Sequence, residues 1–168
     1  MTLAYVGLGS NLEHPRRQLA RAVRALRKLP RTRLVSLSPN YVTAPQGNSG
    51  PQPDYVNAVA VLRTSLAPRA LLGRLHAIER RHRRTRAQGV RNAPRTLDLD
   101  LLLFGRRRMR VTNLSIPHPR MHTRAFVLRP LADVAPAVNI PGHGAARLLL
   151  RHVAGQRVAR TRTHRIAR

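Results

Sequence analysis

The sequence predicts an α+β fold of the ferredoxin-like type, a βαββαβ chain whose antiparallel sheet has its helices packed on one face. Two segments, beginning at Pro15 and Pro68, repeat apolar residues at the helical spacing. Four apolar or alternating runs have the length of strands and lie before, between and after these segments. A C-terminal extension follows, with a short helical or turn segment expected at residues 131–136 and a packing helix expected from His143 onward.

Length and composition favour a single domain. The chain has 168 residues, of which 42% are hydrophobic but only 3% aromatic, so the core must consist of leucine, valine and alanine. We place the domain at residues 1–156 and expect the basic residues 157–168 to form a disordered tail. A monomer is expected.

Cysteine content and net charge limit the location and the partners of the chain. There is no cysteine, and no apolar run approaches the roughly 20 residues of a membrane span. We therefore predict a cytoplasmic protein without a membrane partner. The 32 basic and 6 acidic residues give a net charge of +26, almost all of it from arginine. Such a charge attracts phosphate polyanions, whether nucleic acids or nucleotides, and does not decide between them.

The first strand is predicted at residues 3–8. The glycines at the end of this strand, Gly7 and Gly9, lack the third glycine of a dinucleotide fingerprint, so we interpret the pair as a tight strand exit. The helix after Pro15 has an apolar stripe and an arginine-rich outer face. Residues 34–41 alternate loosely and are predicted as the second strand.

A loop and a third strand bring polar residues toward a candidate site. Residues 43–53 are rich in glycine and proline, and the length of this loop favours a binding role. The strand at residues 55–62 places Tyr55 and Asn57 on one face. A buried asparagine needs hydrogen-bond partners, and its amide suits either the edge of a heterocycle or a backbone group at a strand edge.

Two aspartates distinguish the last predicted strand, residues 95–104, which Pro94 precedes and Gly105 follows. Asp98 and Asp100 project from one face and leucines from the other, because side chains alternate along a strand. The aspartates would lie roughly 6.5–7 Å apart. Mg²⁺ binds through such a carboxylate pair when phosphates complete its coordination. A solvated acidic strand face is the alternative interpretation.

An arginine-rich segment precedes this strand, with six arginines between residues 80 and 91. Guanidinium groups bind phosphate through paired hydrogen bonds. The sequence contains neither a P-loop nor the protein-kinase motifs. A phosphate-transfer enzyme would therefore position its nucleotide with arginines and the carboxylate pair. We predict that residues 83–93 are mobile without ligand and become ordered over a bound nucleotide.

Four segments resemble the 6-hydroxymethyl-7,8-dihydropterin pyrophosphokinase family of folate biosynthesis. They are residues 9–12, 53–58, 94–100 and 116–119, and the similarity extends over residues 2–154. The resemblance implies a ferredoxin-like fold and transfer of pyrophosphate from ATP to the pterin hydroxymethyl group, with release of AMP. It also implies ATP and the pterin as the substrates and two Mg²⁺ ions as cofactors.

The same resemblance implies roles for individual residues. The implied catalytic residues are Arg84, Arg95, Asp98 and Asp100, and the two aspartates are also the implied metal ligands. The implied ATP contacts are Arg84, Arg91, Arg95, His118 and Arg124. The implied pterin contacts are Thr43, Pro45, Gln46, Tyr55, Asn57 and Phe126. Tyr55 and Phe126 correspond to the aromatic pair that encloses the pterin ring.

Three positions depart from the family pattern. Asn92 replaces a frequent loop tryptophan, Pro119 a frequent tyrosine, and Arg83 a usual glycine. The alternative from another functional class is a basic ferredoxin-like module that binds nucleic acid without catalysis. The sequence favours the enzyme, with no specific nucleic-acid partner, because the RNA-binding sheet motif is absent and exposed carboxylates would repel phosphate without a metal.

Overall fold

The computed structural model describes residues 1–45, 51–82 and 96–161. Within these ranges the chain forms ten strands and four α-helices. In chain order they are β1 (Thr2–Ser10), α1 (Pro15–Arg27), β2 (Thr32–Leu37), β3 (Tyr41–Thr43), β4 (Tyr55–Thr64), α2 (Pro68–Arg81), β5 (Asp98–Phe104), β6 (Met109–Val111), β7 (Leu114–Ile116), α3 (Ala125–Val134), β8 (Asn139–Ile140), β9 (Gly144–Ala145), α4 (Ala146–Leu149) and β10 (Ala159–Arg160). None of the described helices is long and apolar enough to cross a bilayer.

The main sheet has six strands in the order β10-β3-β4-β1-β5, with β2 also paired to β4. All of its pairings are antiparallel. The central strand β1 pairs with β4 over its whole length and with β5 on its other side. This is the strand arrangement of a βαββαβ chain, so the predicted fold class is confirmed.

The predicted second strand, residues 34–41, is divided into β2 and β3, which pair with different ends of β4. Pro39 lies at the division, where it has no N–H to donate to a ladder. Ser38, directly before Pro39, keeps this part of the chain hydrogen-bonded to β4. Its N–H donates to Val59 O at 2.9 Å, and its Oγ accepts the Val59 N–H at 2.9 Å. The division places β3 beside the N-terminal end of β4, where the polar residues of that strand lie.

Helices α1 and α2 cover one face of the sheet, as predicted. Each begins with a proline at the start of its first turn, where the missing N–H has no helical acceptor. Their buried side chains form one apolar cluster with Val6 and Leu8 of β1 and with Leu99 of β5. The helical members of the cluster include Leu19, Ala22 and Leu26 from α1 and Leu71, Leu75 and Ile78 from α2.

The C-terminal extension covers the opposite face of the sheet. Helix α3 contributes Leu128 and Leu131 to a second apolar cluster, which includes Val59 of β4 and Leu102 and Leu103 of β5. Leu102 is an extra residue in the pairing of β5 with β1, so two consecutive leucines face the same side. Both faces of the sheet are therefore buried, and α3 lies over the strands that carry the polar residues.

The disordered tail was predicted to begin at residue 157, but the chain forms a further strand after that residue. Strand β10 lies within residues 157–168 and pairs with the outer edge of β3. Thr161 continues this contact, because its N–H and its Oγ1 donate to Asn40 O at 2.9 and 3.2 Å. An unpaired strand edge offers backbone partners to a segment of any composition, which is why basic composition alone did not indicate this strand. Residues 162–168 lie outside the described residues.

Candidate active site

A cavity of about 160 Å³ lies above the central strand, on the α3 side of the sheet. Gly7 and Gly9 of β1 form its floor, between the side chains of β4 and those of β5. Because glycine has no side chain, open space remains between the two neighbouring strands. A Cβ on Gly9 would lie 3.1 Å from Asn57 Oδ1. Both glycines belong to strand β1, so the interpretation of the pair as a tight strand exit is wrong.

A buried amide forms the polar end of this cavity. Asn57 and Thr43 both line it, and each is 6% exposed. Asn57 Nδ2 donates to Thr43 Oγ1 at 2.9 Å. The Thr43 hydroxyl can both donate and accept, so it holds the amide in place with either the amide nitrogen or the amide oxygen toward it. The cavity therefore presents a buried amide that is held in place before a ligand arrives.

Tyr55 forms an aromatic wall of the cavity, and a residue that precedes β4 holds its side chain in place. Its hydroxyl donates to Gln52 Oε1 at 3.3 Å. The same oxygen accepts a hydrogen bond from Asn11 Nδ2 at 2.9 Å, and Asn11 Nδ2 also lies 3.0 Å from Pro53 O. Asn11, directly after β1, thus connects the end of the central strand to the segment that positions Tyr55.

The beginning of α3 provides a second aromatic side chain. Phe126 lines the cavity, and the Arg124 guanidinium lies 5.5 Å from its ring centroid. Gln156 holds this helix start, because its Oε1 accepts the Ala125 N–H and its Nε2 donates to Thr123 O, both at 2.9 Å. A residue of the C-terminal segment therefore sets the position of the arginine and of the ring.

The aspartates lie where this cavity meets a second one of about 330 Å³. Asp98, Asp100 and His118 line both cavities. Both aspartates are half-buried, and they project from the face of β5 opposite its core leucines, as predicted. The second cavity extends to His76 of α2 and to Asn113. Two ligands, one in each cavity, would meet at the carboxylate pair.

Glu79 connects the acidic strand to α2. It is 2% exposed, and its Oε1 accepts the Leu99 N–H at 2.8 Å. Leu99 lies between the two aspartates, so this charge-assisted bond holds the strand segment that carries them. Sequence reasoning missed Glu79. The sequence nevertheless indicated it, because Glu79 is the only acidic residue in α1 or α2 and follows Leu75 by four residues on the buried stripe.

His118 is a neutral hydrogen-bond donor at the junction of the cavities. Burial, together with the charges of Arg124 and Arg120, lowers its pKa to about 4 against a smaller opposing effect of Asp98. Its Nδ1 accepts the Arg120 N–H at 3.3 Å, so the neutral ring carries its proton on Nε2. Its own backbone N–H donates to Leu102 O at 2.8 Å, which ties this segment to β5.

Comparison with known proteins places this chain in a family. The sequence profile of 7,8-dihydro-6-hydroxymethylpterin-pyrophosphokinase (HPPK) matches residues 5–136. The 2-amino-4-hydroxy-6-hydroxymethyldihydropteridine pyrophosphokinase of Pseudomonas aeruginosa is 51% identical over 137 residues, which cover 82% of this chain and 83% of that protein. The chain belongs to the HPPK family. The Haemophilus influenzae protein of the same name is 45% identical over 141 residues, covering 84% of this chain and 86% of that one.

HPPK membership confirms the resemblance that the sequence motifs indicated. The protein is an ATP-dependent pyrophosphokinase of folate biosynthesis, which decides against a nucleic-acid-binding module without catalysis. The crystal structure of Plasmodium falciparum HPPK-DHPS with SDX-DHP has a TM-score of 0.69 at 14% identity, over 92% of this chain and 44% of that one. The chain thus spans less than half of that protein, and at this identity the comparison supports the fold alone.

Most of the predicted site residues are brought together in the first cavity. Those that line it are Thr43, Tyr55, Asn57, Asp98, Asp100, His118, Arg124 and Phe126. Pro45 is not among the lining residues, although its neighbour Ala44 is. Pro119 lines the second cavity. Other predictions concern residues outside the described ranges, namely Gln46, Arg84, Arg91, Arg95 and the segment 83–93 with Arg83 and Asn92.

Replacing Gly9 by alanine should lower kcat/KM for the pterin by about tenfold or more. The added methyl group would lie 3.1 Å from Asn57 Oδ1 and displace the amide from its bond to Thr43. Loss of one hydrogen bond and of part of the shape complementarity costs about 1.4 kcal/mol, which corresponds to a tenfold lower kcat/KM.

The matched control is Gly73→Ala in α2, where a Cβ meets nothing within 4 Å. It should leave kcat/KM unchanged and raise the free energy of unfolding by about 0.5–1 kcal/mol. A fully active Gly9→Ala variant would contradict the role of the floor.

Replacing Gln156 by alanine should raise the KM of both substrates by about three- to tenfold, because two hydrogen bonds of about 1 kcal/mol each no longer hold the start of α3. Steady-state kinetics measures this, with the exposed Arg157→Ala as the neighbouring control. If the melting temperature fell while both KM values stayed the same, Gln156 would be a stabilising residue and not a positioning one.

The His118 imidazole should not titrate between pH 5.5 and 8. Its pKa is about 4, below the 6.5 of an unperturbed histidine, so the unfolded chain binds an extra proton between these two values. This residue therefore lowers the free energy of unfolding as the pH falls from about 6.5 toward 4. Imidazole NMR signals assigned with a His118→Gln variant would test this. A midpoint near pH 6.5 for His118 would contradict it.

Proposed function

We propose that the two cavities hold the two substrates and that Asp98 and Asp100 bind the Mg²⁺ between them. The observation that supports this proposal is that Asp98, Asp100 and His118 line both cavities. Transfer of pyrophosphate requires the pterin hydroxymethyl oxygen and the β-phosphorus of ATP to meet in line. A single junction between two cavities satisfies that requirement.

The pterin fits the cavity above the two glycines. Its flat ring would lie against Tyr55 and Phe126, and aromatic contacts of this kind favour stacked or edge-to-face geometry. Its polar edge would pair with Asn57, whose amide is already fixed by Thr43. A buried group that is oriented before binding loses little entropy when the ligand arrives. The absence of side chains at Gly7 and Gly9 provides the space.

ATP fits the second cavity, with its phosphates toward the aspartates. His118 would donate from Nε2 to a nucleotide oxygen, and Arg124 would neutralise phosphate charge from the α3 side. The family resemblance adds Arg84, Arg91 and Arg95 to the phosphate contacts. Their sequence position, directly before the acidic strand, supports this assignment.

The donor chemistry of the carboxylate pair fits Mg²⁺. This ion prefers oxygen ligands and binds through one or two carboxylates together with substrate phosphates. Among the described residues, no group of three or more histidine, cysteine, aspartate or glutamate side chains could hold a metal by itself. A site completed by the nucleotide is consistent with that composition. When bound, Mg²⁺ supplies the positive charge that offsets the charge on the phosphates, and the resemblance implies two ions.

In the reaction, the hydroxymethyl oxygen forms a bond to the β-phosphorus. The bond between that phosphorus and the oxygen that bridges it to the α-phosphorus breaks. AMP leaves with that oxygen, and the hydroxyl proton passes to water or to a phosphate oxygen. His118 does not accept this proton, because its Nε2 already carries one and its Nδ1 is bonded to Arg120. Positioning and charge neutralisation therefore provide most of the rate enhancement.

The reaction product tests this proposal. With ATP, Mg²⁺ and 6-hydroxymethyl-7,8-dihydropterin, the protein should release one AMP for each pterin consumed, and removal of Mg²⁺ with EDTA should stop the reaction until Mg²⁺ is restored. ADP as the main product, or AMP release without pterin, would refute the assignment. The cytoplasmic location and monomeric state that the sequence predicts are part of the same proposal.

Asp98→Asn and Asp100→Asn should each fold normally and lose at least about 100-fold in kcat. Loss of a residue that only orients a metal ligand typically costs 10- to 100-fold, so loss of a ligand should cost as much or more. The control is Glu13→Gln, which removes one negative charge from an exposed side chain outside both cavities. If either asparagine variant kept near-normal turnover at saturating Mg²⁺, the metal assignment would be wrong.

A further inference from the structure

A groove of about 590 Å³ runs between α1 and α2, on the face of the sheet opposite the first cavity. Gln18 near the start of α1 bonds to His82 just after α2, at 2.7 Å, so the two helices lie antiparallel. The floor of the groove is small and apolar, with Ala25 from α1 and Ala77 and Ile78 from α2. The groove shares no lining residue with the catalytic cavities.

Exposed cations line both walls of this groove. Arg21 and Arg24 of α1 and Lys28 directly after it form one row, and Arg74 and Arg81 of α2 form the other. Arg21 and Lys28 are seven residues apart, as are Arg74 and Arg81, so each row spans about 10.5 Å at 1.5 Å per residue. Because the helices are antiparallel, each end of the groove has a cation on both walls.

The described residues contain no acidic partner for these cations. No ion pair joins any of the five to a carboxylate in the part of the chain that the structure describes. The one acidic residue in the two helices, Glu79, is 2% exposed and bonded to the Leu99 N–H. Neither helix has an acidic residue in its first turn. The two rows are therefore uncompensated and available to an external anion.

We propose that this groove binds the sugar-phosphate backbone of a nucleic-acid duplex without reading its sequence. A row of cations along a linear groove suits a chain of regularly spaced phosphates. The one aromatic ring among the lining residues of the groove is the imidazole of His82, which is 7% exposed and bonded to Gln18, so it offers no face for an unpaired base to stack on. Backbone contact is therefore the mode that the groove residues support. Among the described residues, the exposed large apolar side chains all lie elsewhere, which disfavours insertion into a membrane.

This second function is independent of catalysis. Binding should fall steeply with salt, because each phosphate contact releases a counterion. It should not compete with ATP or the pterin, since the groove shares no lining residue with either cavity.

The test compares two variants of the full chain with equal net charge. The groove variant is Arg21→Gln/Arg24→Gln/Arg74→Gln/Arg81→Gln, and the control is Arg33→Gln/Arg63→Gln/Arg106→Gln/Arg110→Gln, with four exposed arginines removed outside the groove in each case. Fluorescence anisotropy would follow binding to a labelled 20-base-pair DNA duplex and to an RNA duplex of the same sequence, from 50 to 300 mM salt. Pyrophosphokinase turnover, unchanged in both variants, would show that each is folded.

The groove variant should bind at least tenfold more weakly than the wild type at 100 mM salt, and its salt slope should be smaller by about three to four. The control should stay within about threefold of the wild type in affinity. Equal losses in the two variants would show that binding follows the diffuse charge of the chain, which overturns the proposal. Absence of duplex binding by the wild type at 100 mM salt would also overturn it, as would a groove-dependent interaction with anionic lipid vesicles only.

Discussion

The register between β1 and its two neighbours is the constraint on which the active site depends. Gly9 pairs with Asn57 on β4 and with Asp98 on β5, so an amide and a carboxylate are placed on either side of a position without a side chain. A shift of one residue would turn every side chain of the central strand to the other face. Such a shift is costly here because Val6 and Leu8 are buried against α1 and α2, while Tyr5 is buried on the α3 side. The core of the fold thus fixes the floor of the cavity.

The other walls are held by hydrogen bonds that reach across the chain. Tyr41 donates to Asp133 at 2.6 Å, which joins β3 to the end of α3, while burial and this carboxylate raise the pKa of Tyr41 to about 12. Gln156 fixes the start of the same helix, and β10 then pairs with β3. The C-terminal segment is therefore part of the support for Arg124 and Phe126. Gln156 and β10 lie beyond residue 136, where the profile match ends, whereas Tyr41 and Asp133 lie within it.

The sequence predicts structure best where the spacing of apolar residues shows which face of a strand or helix is buried. Alternation separated Asp98 and Asp100 from the core leucines, and helical spacing located α1 and α2, because burial of one face requires these patterns. The roles of Gly7 and Gly9 could not be predicted, since a glycine gives the same signal whether it forms a turn or leaves space beneath a cavity. β10 and the coverage of the second face by α3 depend on long-range contacts, which leave no local pattern.

A crystal structure with the pterin, a non-hydrolysable ATP analogue and Mn²⁺ in place of Mg²⁺ would test the central claim most directly. We expect anomalous signal from the metal at Asp98 and Asp100, the pterin ring between Tyr55 and Phe126 above Gly9, and the adenine in the cavity that contains His76 and Asn113. Placement of both ligands in one cavity, or of the metal away from the two carboxylates, would contradict the assignment of two substrates to two cavities that meet at the acidic strand.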